Sequence, residues 1–201
     1  MVIGIAMALV FSSREFLLYR IGTFLAVDQP FEKADAVVAS KITEKIAELY
    51  RDGRCGKIVL SVQDDNVNWW KFLPKSDSME DARGKAEKWG IRRDDLIVFN
   101  RTSGIQDDIS YFNSLKKLLR ENGIHSAVFY SPYYKTRRKR FYLDRYLDGP
   151  GIESYVVSAE ENYLQAFERW WENTALDNLF LDEYLTMAFY YFNKILWSPA
   201  V

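Results

Sequence analysis

Five short apolar runs separated by helix-like stretches constrain this chain more than any other feature. They are ADAVVA (Ala34–Ala39), KIVLSV (Lys57–Val62), DLIVFN (Asp95–Asn100), HSAVFYS (His125–Ser131) and IESYVVS (Ile152–Ser158). A strand buried on both faces reads as a continuous apolar run, and helices between such strands act as crossovers that leave the strands parallel. The intervening stretches include SKITEKIAELYRDG, DARGKAEKWG and IQDDISYFNSLKKLLRENG. In the first, Ser40 is placed to cap a helix and Gly53 to stop it, with Ile42, Ile46, Leu49 and Tyr50 on one face. In the third, Ile105, Ile109, Phe112, Leu115 and Leu119 fall in helical register. The pattern predicts a three-layer α/β domain around a parallel sheet of about five strands, with further helices at both ends.

The N-terminus needs a separate account. Met1 to Phe11, MVIGIAMALVF, carries no polar side chain, and SSREFLLYRIGTFLAV continues it as an amphipathic pattern. A membrane span needs roughly 20 apolar residues, about twice this run. There is no basic leader and no small-residue cleavage site of the secretory kind. Residues 1–27 therefore read as one helix that is buried, lies at a membrane interface, or ends a longer span. Residues 28–201 read as the α/β domain, its last forty residues helical and aromatic.

Composition limits the chemistry. With 27 basic and 28 acidic residues the net charge is −1, which argues against a nucleic-acid partner. Cys55 and His125 are the sole residues of their types, so no disulfide and no cysteine-rich or ligand-spaced metal cluster is expected. The sequence names no cofactor.

Ligands of open parallel sheets bind beyond the carboxyl ends of the strands, where strand order reverses. The segments to watch are therefore Ser40 and Lys41, Ser61 to Asp65, Asn100 to Asp108, Ser131 to Arg138 and Ser158 to Glu161. The fourth, in YSPYYKTRRKRF, holds the densest cations. These read either as a solvated basic helix face or as groups for a small anion, for which guanidinium is suited. Arg137 and Arg138 are the candidates, and Arg140 is expected to face solvent. Tyr133 and Tyr134 read as packing or as pocket wall, Ser61 and Ser131 as turn chemistry or ligand donors, and Asp107 and Asp108 as dipole partners of a helix start. His125 reads as structural. Trp69 and Trp70 lie on a loop that folds back, covers a site or meets a membrane. Glu183 interrupts an apolar aromatic helix, and a carboxylate there needs a partner, expected among the fourth-loop cations.

The order of segments resembles the SanA/ElyC/YdcF-like family of bacterial envelope proteins. The resemblance rests on LAVDQPFEKADAVVA, a helix ending LYRDG, the strand KIVLS, WGI before a strand, Ser-Pro-Tyr followed by basic residues, and LDEYLTMAFYY with Glu183. It covers Leu25 to Leu196. It implies a Rossmann-like domain behind an N-terminal membrane helix, and a pocket for a phosphorylated or nucleotide-like small molecule in cell-wall or surface-polysaccharide metabolism. On the residues themselves, the polar strand-end loops, the single dense cation cluster and the misplaced Glu183 converge on a pocket beyond the sheet's carboxyl edge, with Ser40, Ser61, Ser103, Asp107, Asp108, Ser131, Tyr134, Arg137 or Arg138, and Glu183 as its candidate ligand-binding residues. Ala39-Ser40 stands where the family has glycines, SGIQDD lacks a threonine, and Tyr134 replaces a histidine. The alternatives are a catalytically degenerate binding module, or an interaction protein using its aromatic C-terminal helices.

Overall fold

A computed structural model describes residues 2–63, 79–101, 108–147, 151–160, 165 and 167–197. In chain order the elements are α1 (Val2–Phe24), β1 (Ala34–Ala39), α2 (Glu44–Arg51), β2 (Cys55–Gln63), α3 (Met79–Lys88), β3 (Leu96–Arg101), α4 (Asp108–Glu121), β4 (Ser126–Ser131), α5 (Thr136–Tyr146), β5 (Glu153–Ser158) and α6 (Thr174–Trp197). The five strands form one sheet in the order β3-β2-β1-β4-β5. All pair in parallel, with Ala36 beside Lys57 on β2 and beside Ala127 on β4. This is the order of the first five strands of a Rossmann sheet.

The apolar runs form these strands because both faces are covered. Val37, Val38, Ile58, Val59, Leu60, Val128 and Val156 are all buried. Asp35 is the exception in β1, and it has a local task. Its Oδ2 accepts from the backbone N–H of His125 and of Ser126, each at 2.8 Å, while its own N–H donates to Ser126 Oγ at 2.8 Å. The start of β4 is thereby clamped to the start of β1.

Several boundaries depart from the sequence reading for visible reasons. The cap of α2 is Thr43, whose hydroxyl accepts from the Ile46 N–H at 3.4 Å, and Ser40 lies on the bend before it. Gly53 does close the helix, at a φ of 69° that costs a residue without Cβ little. Asp95 belongs to a 3-10 turn (Arg93–Asp95), where it accepts from Tyr50 Oη, so β3 begins one residue later. On α4 the predicted face is carried by Phe112, Leu115 and Leu119. Phe112 stacks on Tyr142 and Tyr146, which sets α4 beside α5. Ile105, Trp69 and Trp70 lie outside the described residues.

The chain divides into two compact units, and the boundary does not follow the sequence. The sheet unit comprises Gln29–Ser131 and Arg140–Val157; the helical unit comprises Met1–Asp28, Pro132–Lys139 and Ser158–Val201. The N-terminal helix thus belongs with the aromatic C-terminal helix. Leu25, Tyr133, Phe167, Phe180 and Met187 form the helical unit's buried cluster. Trp170 Nε1 donates to the Leu18 carbonyl at 2.7 Å, and Gly22 is buried against the rings of Phe167 and Trp170. On the other side of α1, Phe16, Leu17, Ile21 and Phe24 are exposed. Among the described residues, no helix is long and apolar enough to cross a membrane.

Candidate functional site

In the sheet unit the chain moves from β1 outward to β2 and β3, then returns past β1 to β4. The carboxyl ends of β1 and β4 therefore flank the switch point, the usual ligand position in such sheets. Val38 pairs with Phe129, so extending that register by two residues sets Ser40 level with Ser131. Ser131 is buried at the end of β4, and Ser40 is exposed. Lys45, in the first turn of α2, holds its ammonium 5.9 Å from the centre of the Tyr130 ring. A lysine there supplies a point charge for an anion, and nothing in the strand pattern singles it out. Ser61 is half-buried on β2 and accepts from Tyr111 Oη at 3.1 Å, so part of its capacity is spent on packing. Asp108 opens α4, whereas Ser103 and Asp107 lie outside the described residues.

The basic segment after β4 belongs mainly to the helical unit. A 3-10 turn (Tyr133–Lys135) leads into α5. Thr136 is wholly buried: its hydroxyl donates to the Tyr133 carbonyl at 2.8 Å and accepts from the Val27 N–H at 2.7 Å. The Tyr133 N–H donates to Glu160 Oε2 at 3.1 Å, an oxygen that Ser158 Oγ also approaches at 3.3 Å. Thr136 and Glu160 are thus the polar framework of this turn. Thr136, hidden between cations, gave no sequence signal.

The arginines are neither a solvated face nor a cluster. Arg137 donates to the Phe24 carbonyl and lies 4.1 Å above the Phe24 ring. Arg138 Nη2 meets Glu183 Oε1 at 2.8 Å. Arg140, expected to face solvent, sits in the sheet unit, where it bonds Asp144, the Ser154 carbonyl at 2.6 Å and Gln29 Oε1 at 3.2 Å. The expected pairing of Glu183 with a fourth-loop cation is present, and the partner is Arg138.

Electrostatics define what this pair can do. Glu183 is 1% exposed, and its Oε2 has no hydrogen-bond partner among the described residues. Burial raises its pKa above the usual value, and the charges of Arg138 and Lys135 only partly offset that. Tyr134 is pushed up to about 12, first by burial and then by the negative charges of Glu183 and Glu160. Its phenol therefore stays protonated at neutral pH and can donate a hydrogen bond but not abstract a proton. Among the described residues, no group of three or more His, Cys, Asp or Glu could hold a metal ion.

Compared with known proteins, the chain matches no family model and no curated protein.

Proposed function

We propose that this chain binds a phosphorylated or nucleotide-like small molecule at the carboxyl edge of its parallel sheet, on a protein held at a membrane surface by α1. The observation that carries the ligand reading is the reversal of strand order between β1 and β4, with Ser40 and Ser131 level beside it. Lys45 adds a positive charge near the end of β4. The resemblance to envelope proteins supplies the setting, cell-wall or surface-polysaccharide metabolism. Binding without turnover is favoured over catalysis, because Tyr134, which stands where that family has a histidine, is held protonated and cannot act as a base.

Calorimetric titration with inorganic phosphate and with a nucleoside diphosphate tests the reading. Ser131→Ala removes one buried hydroxyl and should weaken binding by about 1.5–3 kcal/mol, the range for a hydrogen bond to a charged group. Lys88→Ala, on exposed α3 surface, should leave binding unchanged. No heat with either ligand, or equal affinities in the two variants, would remove the switch point as the site.

A further inference from the structure

Exposed apolar side chains in the helical unit follow helical spacing and fall on two elements. On α6, Leu181, Leu185 and Phe189 recur every fourth residue and are 59%, 62% and 62% exposed. On α1, Leu17, Ile21 and Phe24 recur at i, i+4 and i+7 and are 51%, 43% and 48% exposed. Such spacing puts each set on one face of its helix. The two faces adjoin, because Phe24 stacks on Tyr184 with ring centres 6.1 Å apart and Tyr184 Oη donates to the Ile21 carbonyl. The opposite face of α6 carries Phe180, Glu183 and Met187 into the core, so the exposed set is not required for that packing.

We infer that α1 and α6 together form a docking surface for a lipid bilayer bearing anionic headgroups. Two observations favour lipid over a protein partner. The α1 face continues, in sequence, into the run Met1–Phe11, which is apolar on every side of a helix. A protein partner covers one face of a helix, whereas acyl chains can surround it. Charge is the second observation. Arg14 and Arg20 are exposed and lie three residues either side of Leu17, on its face, while the acidic Glu15 lies two residues away and off that face. Arg137, over the Phe24 ring, adds a cation at the margin of the surface. On α1 the apolar side chains are rimmed by arginines, which matches the boundary between acyl chains and anionic headgroups, while α6 adds apolar area together with one exposed carboxylate, Asp182, three residues before Leu185. This rests on the reading that α1 holds the protein at a membrane, and extends it by making α6 the second half of the surface.

The test is flotation of the full chain with vesicles of phosphatidylcholine, and with vesicles also containing phosphatidylglycerol. The parent should float with the anionic vesicles, and the double variant Leu185→Gln/Phe189→Gln should partition about tenfold less strongly or worse. Both side chains are exposed, so circular dichroism and melting temperature should be unchanged. Leu181→Gln probes the same stripe one turn earlier and should also weaken flotation. If the parent floats and all α6 variants float equally well, α1 alone is the anchor and the inference fails while the membrane reading stands. If the parent does not float with either vesicle, both fail. A parent that stays in solution as a dimer, made monomeric by the α6 variants, would assign the surface to a second copy of the chain.

Discussion

Arg138 donates from Nη2 to Glu183 Oε1 across 2.8 Å, joining residues forty-five positions apart, and it leaves Glu183 Oε2 with no partner among the described residues. A half-satisfied buried pair of this kind is a specific constraint, because each member is costly without the other.

Removing Arg138 should therefore be expensive, and the expense should depend on pH. Glu183 titrates above its usual value in the fold, so the fold favours the protonated acid. Its contribution to stability is present below the unfolded value near 4.5 and is lost as pH rises through the folded value. Arg138→Ala withdraws the largest opposing influence and widens that window. Urea unfolding should show a loss of about 3 kcal/mol at neutral pH, and a smaller one in acid, where the carboxyl is already protonated. Equal losses at the two pH values would show that Glu183 does not titrate with folding. Glu183→Gln, which cannot ionise, should gain stability relative to the parent as pH rises.

Gly22 offers a test of sign. Alanine in a helix interior is ordinarily favoured over glycine by about 1 kcal/mol. A Cβ at Gly22 would come within 2.9 Å of ring atoms of Phe167 and Trp170. Neither ring can retreat freely, since Phe167 is fully buried and Trp170 is bonded to the Leu18 carbonyl. Gly22→Ala should therefore destabilise by about 1–3 kcal/mol in chemical denaturation, the range for overpacking. A stabilised variant would mean that α1 does not pack as described.

Asp35 should govern an acid limb of stability. Burial opposes its charge, yet the N–H groups of His125 and Ser126 outweigh that and hold its carboxyl below the usual value near 3.8. A depressed carboxyl stabilises above the unfolded value and loses that contribution as pH falls through the folded one. The parent's denaturation midpoint should fall in strong acid, and Asp35→Ala should start lower and fall less over the same interval. Parallel curves for the two proteins would refute the clamp.

What the sequence made legible was the sheet. Its strands are buried on both faces, and that burial writes itself into continuous apolar runs such as ADAVVA and SAVFYS. The misplaced details are those decided by single hydrogen bonds. Thr43 rather than Ser40 caps α2 because the helix begins at Glu44, and Asp95 leaves β3 because Tyr50 holds it in a turn. Glu183 could be singled out because a carboxylate within an apolar helix must find a cation, and composition placed the densest cations in one segment. The separate fates of Arg137, Arg138 and Arg140 were not legible. Neighbours in sequence, they bond separately, Arg137 to the Phe24 carbonyl, Arg138 to Glu183 and Arg140 to Asp144, and the first two partners lie far away in the chain, where no local pattern points to them.

The helical unit draws on the beginning, a short middle piece and the end of the chain, and this fixes an order of events during synthesis. α1 is made before its partners: Tyr133, Phe167 and Phe180, which form the cluster with Leu25, are made more than a hundred residues later. At a translation rate of 5–20 residues per second, α1 waits roughly 5 to 30 seconds for them. All five strands are synthesised in that interval, before the last core residues of the helical unit exist. Among the described helices the most apolar, α1, thus spends a long time in the nascent chain without its native neighbours, and until α6 appears any chaperone or membrane at the exit site meets α1 before its own fold does.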